Sequence, residues 1–265
     1  MPHPSTLASA NPANAPSAGF FANIGIVAGM RVLDVGCGNG DLSRLVARLA
    51  GPGGEVVAID RSEEALAMAR SVVSSLEEAP IRYRAVDLAA ELPDLGRFDA
   101  IVGRRVLMYL PDAATVLARL AALTKPGAIL AFQEHARADL PAGLGELELH
   151  RRLYGWVWDT VAAEGGDVEL GLRLVDLMSA TGLSIEVARS EAILLLPGEP
   201  SFLPTLARVM LPRLIERRVA SAEEIESDTL AQRIEDERRS IGGTIVWDLA
   251  FLVSARASGG ARAAS

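Results

Sequence analysis

Arg31–Ala50 reads RVLDVGCGNGDLSRLVARLA, an apolar run that halts at three glycines and then resumes with a different period. Arg31-Val32-Leu33-Asp34-Val35 has the β-branched, apolar character of a strand buried in a parallel sheet. Gly36, Gly38 and Gly40 follow at a spacing of two and leave a loop with little side-chain bulk. From Asp41 onward Leu42, Leu45, Val46 and Leu49 fall on one stripe of an amphipathic helix. Strand, glycine loop and helix N-terminus together predict a place where a ligand touches bare backbone.

The alternation continues outward from that unit. Glu55–Ile59 reads as a second strand ending at Asp60, and Ser62 caps a helix expected to turn Leu66, Ala69, Val72 and Val73 inward. Ile81–Leu88 and Phe98–Val102 read as the third and fourth strands. Pro111 and Asp112 open a helix, and a turn at Lys125-Pro126-Gly127 leads into a fifth strand over Ala128–Gln133. Strands and helices of this length imply parallel βαβ units with right-handed crossovers. The predicted fold is therefore α/β, a doubly wound, seven-stranded, mostly parallel sheet with helical cap insertions. Ligands in such sheets bind beyond the carboxyl ends of the strands.

The second half supplies the insertions. Glu146–Ala163 is helical, a further helix stops at Gly182, and Ile185–Leu196 reads as a sixth strand. Ser201–Arg218 is an apolar helix interrupted by Pro204 and Pro212, Ala222–Arg239 is a charged helix, and Thr244–Ala255 is the seventh strand. The organisation expected is a disordered arm over 1–19, a cofactor-binding core over 20–135, a cap insertion over 136–165, a core helix and strand over 166–197, a second cap insertion over 198–240, the last core strand over 241–257 and a disordered tail over 258–265.

Composition excludes several classes. The chain has 265 residues, half of them hydrophobic, and a net charge of −8, which argues against the basic stripe that a nucleic-acid partner requires. No apolar run reaches the roughly 18–20 residues that span a bilayer, and the N-terminal stretch lacks a signal-peptide pattern. A cytoplasmic protein with no membrane partner is expected, in keeping with the single cysteine, Cys37. Lys125 is the sole lysine, so Schiff-base chemistry would rest on it alone, and His3 has no assignable role. No His or Cys pair at ligand spacing, and no paired carboxylates, predict a metal.

The loop spacing is G-x-G-x-G and not the G-x-G-x-x-G of dinucleotide folds. Asp41 also puts a carboxylate where a pyrophosphate-binding helix prefers glycine or alanine, which disfavours a nicotinamide dinucleotide. Asp60 stands 20 residues beyond Gly40, where a carboxylate accepts from both hydroxyls of a ribose or simply caps a turn. Asp87 ends the third strand, as an acceptor for an adenine amino group or as a turn residue.

VLDVGCGNGDLS, VVAIDRS, RAVDL, FDAIVGRRVLMYLPD and KPGAILAFQE together resemble the class I S-adenosylmethionine-dependent methyltransferases, over about Gly29–Glu134 and more weakly to the last strand. The resemblance implies S-adenosyl-L-methionine as cofactor and S-adenosyl-L-homocysteine as product. It lays the Gly36, Gly38 and Gly40 loop against the methionyl part, with Cys37 a small residue in that crowded loop. Asp34 would support the loop and the amino group, Asp60 would hold the ribose, Arg61 would flank the adenine, and Asp87 with the Leu88 backbone would read its edge. The Gly103-Arg104 backbone would meet the ammonium. The Asn/Asp-Pro-Pro-Tyr/Phe motif of base-modifying members is replaced by Gly103-Arg104-Arg105-Val106, which resembles the small-molecule branch of bacterial biosynthetic pathways.

The acceptor side is read from the residues themselves. Glu134 and His135 are expected just past the fifth strand, with His135 either the general base or a hydrogen-bonding loop residue, and Glu134 orienting it or a substrate cation. Tyr109 faces the pocket or the core. On the first cap helix His150, Arg152, Tyr154 and Trp158 form an acceptor wall with a cationic rim shared by Arg151, or else pack the cap on the sheet. The function expected is methyl transfer to a small-molecule acceptor, in a secondary-metabolite pathway, by in-line displacement beneath the cap; a homodimer is compatible with it. The alternative is a methyltransferase-fold protein that uses its cofactor structurally, such as a cyclase.

Overall fold

The computed structural model describes residues 12–73 and 75–257. Its strands are β1 (Arg31–Val35), β2 (Glu55–Asp60), β3 (Ile81–Ala85), β4 (Phe98–Arg104), β5 (Thr124–His135), β6 (Ser184–Leu195) and β7 (Ile245–Arg256). They form one sheet in the order β3-β2-β1-β4-β5-β7-β6. The first five run parallel, whereas β7 is antiparallel to both β5 and β6. Val32, Leu33, Val56, Ile101 and Val102 are fully buried, as central parallel strands require. The chain turns one way from β1 to β2 and the other way from β1 to β4, so a crevice opens at the carboxyl ends of β1 and β4.

Two strands run further than the sequence reading allows. β4 continues through Arg104, and β5 spans Thr124–His135. Phe98 pairs with Thr124 and Ala100 with Ile129, so the expected Lys125-Pro126-Gly127 turn is a bulge inside β5. Glu134 and His135 are consequently strand residues, not loop residues. Val72 and Val73, expected to point inward, are 46% and 92% exposed because their helix, α3 (Glu63–Arg70), ends before them.

The expected disordered arm is corrected over 12–19. Pro12–Asn14 is a 3-10 turn and Ala15–Asn23 is a helix, α1. Ser17, Phe20 and Phe21 lie at i, i+3 and i+4 and are buried, and each phenylalanine taken from water contributes roughly 1.5–3 kcal/mol. Residues 1–11, with His3, and the tail at 258–265 lie outside the described residues.

Helices α2 (Asp41–Ala50), α4 (Ala113–Ala122) and α6 (Leu170–Ser179) pack on the sheet. α5 (Glu148–Ala163), α7 (Leu203–Glu216), α8 (Ala222–Ile225) and α9 (Ser227–Ile241) come from the two insertions, and α5, α7 and α9 pack on one another. The helix expected over 222–239 breaks at Glu226, whose φ of 47° ends α8 and starts α9. The first free N–H groups of α5, on Leu149 and His150, donate at 2.7 and 3.0 Å to the carboxylate of Glu237 on α9. That carboxylate caps α5 from a neighbouring helix and clasps the two insertions together.

Candidate active site

A groove of about 970 Å³ opens over the glycine loop, lined by Gly36, Gly38, Asp60, Arg61, Asp87 and Leu88. Gly36 has φ +65° and a Cβ there would lie 2.3 Å from the Val106 side chain, so only glycine fits. Gly38, at φ +52°, has nothing within 4 Å of that position and leaves its backbone open to the groove. Asp60 Oδ2 accepts the Gly38 N–H at 2.8 Å and Oδ1 accepts the Ser62 N–H at 2.9 Å. Those bonds fix the carboxylate at the groove and leave half of its roughly four acceptor sites unused. Asp87 accepts the Ala89 N–H at 2.9 Å, and the Leu88 carbonyl accepts from Arg119 at 2.7 Å. Arg61 is exposed at the rim.

Asp34 lies fully buried beneath the loop. Its Oδ2 accepts from the Ser43 hydroxyl at 2.6 Å, while Oδ1 has no partner among the described residues. Burial pushes its pKa up to about 7. A spare carboxylate edge at Asp60, a bare backbone at Gly38 and an unpartnered buried oxygen at Asp34 fit a ligand with ribose hydroxyls and an ammonium group, as S-adenosylmethionine has.

Three residues of this region direct their side chains or backbone to other partners, which leaves the expected contact of the Gly103-Arg104 backbone untouched. The Cys37 side chain packs against Ala58 and Leu66, and burial raises its thiol pKa, so it is no nucleophile. Gly40, at φ +80°, serves as the N-cap of α2, where a Cβ would crowd the Tyr83 hydroxyl at 2.8 Å. The Arg104 side chain donates to the Ser17 hydroxyl at 3.1 Å, outside the groove lining, and burial lowers its pKa to about 10.

A second cavity of about 220 Å³ adjoins the groove and shares Arg105, Tyr109 and Arg213 with it. Met108, Val157, Trp158, Leu206 and Met210 give it apolar walls, and His135, Tyr154 and Asp248 give it a polar end. His135 Nδ1 lies 2.8 Å from Asp248 Oδ2. Asp248 Oδ1 in turn accepts from the Tyr154 hydroxyl at 3.2 Å and from the Leu249 N–H at 2.8 Å. A carboxylate held this way keeps the imidazole proton on Nδ1 and leaves the lone pair on Nε2. Nε2 stands 3.4 Å from the Gln133 amide nitrogen, which donates at 2.8 Å to the Ala13 carbonyl, and Ala13 itself lines the cavity.

Alternation along β5 separates His135 from its neighbour. Glu134 was expected to work beside His135, but it takes the opposite face, fully buried. Its Oε1 accepts the Val106 and Leu107 N–H groups at 3.0 and 2.8 Å, and burial pushes its pKa up to about 7. Its place is under the β4–α4 connection and outside the cavity.

A bulge in β7 completes the polar end. Ile193 pairs with Asp248 and Leu194 with Val246, so Trp247 is an extra residue. Regular alternation would send Trp247 and Asp248 to opposite faces, whereas the bulge lets both line the cavity. The Trp247 indole Nε1 is buried without a partner among the described residues.

Helix phase sorts the cap residues. Tyr154, Val157, Trp158 and Val161 form the inward stripe of α5, with the Tyr154 and Trp158 rings edge-to-face at 6.2 Å. Arg152 lies off the stripe and stacks at the surface over Trp156 at 5.7 Å, while Arg151 pairs with Glu146 at 2.9 Å. His150 is fully buried with Nδ1 2.5 Å from Glu237, so it belongs to the α5–α9 clasp and lines neither the groove nor the cavity. Burial lowers its pKa. Asp248, Trp247, Arg105 and Arg213 escaped the sequence reading. The signals were a carboxylate inside the apolar run TIVWDLAFLVSA and the doubled arginine of GRRV.

Among the described residues no helix is long and apolar enough to cross a membrane, and no cluster of His, Cys, Asp and Glu could hold a metal ion. A family sequence model described as "Methyltransferase domain" matches residues 26–188, more than half of the chain. A ubiquinone biosynthesis O-methyltransferase of Chromobacterium violaceum is 40% identical over 126 residues, which cover 45% of this chain and 51% of that protein. The chain thus spans about half the length of the curated relatives it matches. Among solved structures, an S-adenosylmethionine-dependent methyltransferase from Mesorhizobium loti has TM-score 0.52 at 20% identity, covering 92% of this chain and 97% of that one. The cyclase SpnF has TM-score 0.51 at 21% identity, covering 89% and 78%. At these identities the structural likeness concerns the fold alone.

Proposed function

Because the chain belongs to the methyltransferase domain family, whose cofactor is S-adenosylmethionine, we propose that it methylates a hydroxyl group of a small, largely apolar molecule seated in the His135 cavity. The observation that carries this reading is the His135–Asp248 pair, 2.8 Å apart at the inner end of a cavity that adjoins the cofactor groove. The cofactor supplies a methyl group already activated by its sulfonium leaving group. The chain's residues therefore chiefly align the acceptor, exclude water and receive a proton.

Alignment supplies the larger share, roughly 7–11 kcal/mol when an acceptor is held in attacking geometry. Trp158, Val157, Met210 and Leu206 do this by shape and keep water out. His135 Nε2 takes the hydroxyl proton as the oxygen is methylated, a contribution of about 10²–10⁴ in rate. Asp248 stabilises the imidazolium so formed, and Tyr154 and the Leu249 N–H keep Asp248 in place. The O-methyltransferase relatives support oxygen as the methylated atom and a biosynthetic setting. The single free cysteine suits a reducing, cytoplasmic one.

Incubation with methyl-labelled S-adenosylmethionine and a panel of hydroxylated single-ring compounds tests the reading. Labelled methyl ethers that disappear in His135→Ala are expected. A folded protein that binds the cofactor yet labels nothing in the panel or in cell extract would overturn it in favour of a non-methylating use of the cofactor, cyclisation included.

A further inference from the structure

Two cations stand where the groove and the cavity meet, and they differ in company. Arg213 forms a two-pronged pair with Glu164, at 2.8 and 2.5 Å. Arg105 has no carboxylate within ion-pair distance among the described residues. Its recorded side-chain bond goes to the neutral Asn14 Oδ1 at 2.5 Å. A guanidinium partly drawn out of water without an anion is disfavoured, and Arg105 is half-buried, with its pKa lowered by that burial. The backbone holds it there by an uncommon route. Among the described residues Arg105 is one of three non-glycines with positive φ, at 52°, and its N–H is tied to the Gln133 carbonyl at 2.8 Å. Such strain persists where surrounding structure enforces it, and it gathers at ligand sites.

The position favours the acceptor over the cofactor. Arg105 lines the cavity together with His135 and Asp248, and its charge interacts with Asp248. Arg104, one residue earlier, is the one whose charge interacts with Asp34 beneath the glycine loop. An unused donor among the described residues, the buried Trp247 Nε1, belongs to the same cavity. The cavity thus offers a cation without an anion, one donor without an acceptor and one basic nitrogen. Its size matches one ring with small substituents, since a cavity of about 150 Å³ takes a benzene.

We infer that Arg105 binds an anionic group of the methyl acceptor, which makes the acceptor class a ring-sized hydroxy acid with its carboxylate on Arg105 and its hydroxyl on His135. The inference rests on the proposed methyl transfer for the role of the hydroxyl, but the carboxylate contact can be tested by binding alone. Hydroxybenzoates, their primary amides and their methyl esters are titrated into the protein saturated with S-adenosylhomocysteine, with binding read by calorimetry and by the fluorescence of Trp158 and Trp247. The wild type should bind the best acid at least tenfold more tightly than its amide. Arg105→Gln should abolish that preference while S-adenosylhomocysteine affinity stays within threefold, and Arg105→Lys should keep part of it. Equal binding of acid and amide to the wild type would overturn the inference. So would an Arg105→Gln protein that retains the preference, or one that loses S-adenosylhomocysteine affinity tenfold. Acid-selective binding without methylated product would leave the Arg105 contact standing and refute methyl transfer instead.

Discussion

Asp248 reaches His135 along a diagonal of the sheet. His135 pairs with Ala250 across β5 and β7, and Asp248, two residues from Ala250, projects from the same face to bring Oδ2 within 2.8 Å of Nδ1. If this pair moves the acceptor's proton, His135→Ala should lower single-turnover rates by about 10²–10⁴ and leave cofactor affinity nearly unchanged. Asp248→Asn should lower them at least tenfold, because the imidazole loses the charge that fixes its tautomer. Rates within threefold of wild type in both variants would show that no base is needed.

Asp60 holds the glycine loop through the Gly38 N–H, and we propose that its free carboxylate edge holds the ribose. Charge-assisted hydrogen bonds contribute about 1.5–3 kcal/mol each. Asp60→Ala should therefore weaken S-adenosylmethionine at least tenfold in calorimetry, with the melting temperature reporting that the fold is kept. Unchanged affinity would refute the assignment.

Gly36 and Gly38 should fail differently. A Cβ at Gly36 would meet Val106 at 2.3 Å, so Gly36→Ala is expected to unfold or rearrange the loop and lower the melting temperature sharply. At Gly38 the space is open, and Gly38→Ala costs only about 1–2 kcal/mol for its left-handed backbone. Its added methyl would occupy the groove, so the protein should fold and bind cofactor poorly. Tight cofactor binding by Gly38→Ala would place the ligand elsewhere.

Glu134 and Asp34 set a pH dependence of stability. Burial raises both carboxyls to about 7 in the folded protein, above their unfolded values near 4. The unfolded chain then releases these protons first, so the stability contributed by these two carboxyls is greatest below about pH 4, falls as pH rises toward 7 and levels off beyond it. Glu134→Gln should remove a contribution on the order of 3 kcal/mol from that slope, since each pKa unit corresponds to about 1.4 kcal/mol. Urea midpoints between pH 5 and 8 measure it. Turnover should change less than tenfold, and a larger loss would restore a catalytic part for Glu134.

The Glu237 clasp predicts that the cap responds as one body. Amide exchange over 148–163 and 203–241 should slow together when cofactor and acceptor bind. Equal protection in the free protein would make these helices a fixed wall.

The cofactor side was legible because its signals are local. Strand, glycine loop and helix lie within Arg31–Ala50, Asp60 ends β2, and Asp87 lies two residues beyond β3, which is shorter than the stretch read as a strand. The acceptor side was not, because its contacts are long-range. Whether Glu134 or His135 faces the cavity depends on where β5 ends, and two extra strand residues decided it. The phase of β7 flips at Trp247, where two successive residues are buried, and no composition rule announces a bulge. His150 lay on the right helical stripe, but Glu237 from another helix claimed it.

The Asp248 contact also orders events in time. His135 leaves the ribosome 113 positions before Asp248 does. Over that interval the groove-lining residues from Gly36 to Leu88 are already present, while the imidazole lacks the Asp248 carboxylate that orients it. Synthesis of β7 supplies Asp248, so the proton acceptor proposed at His135 is completed by the strand that also joins β6 to the sheet.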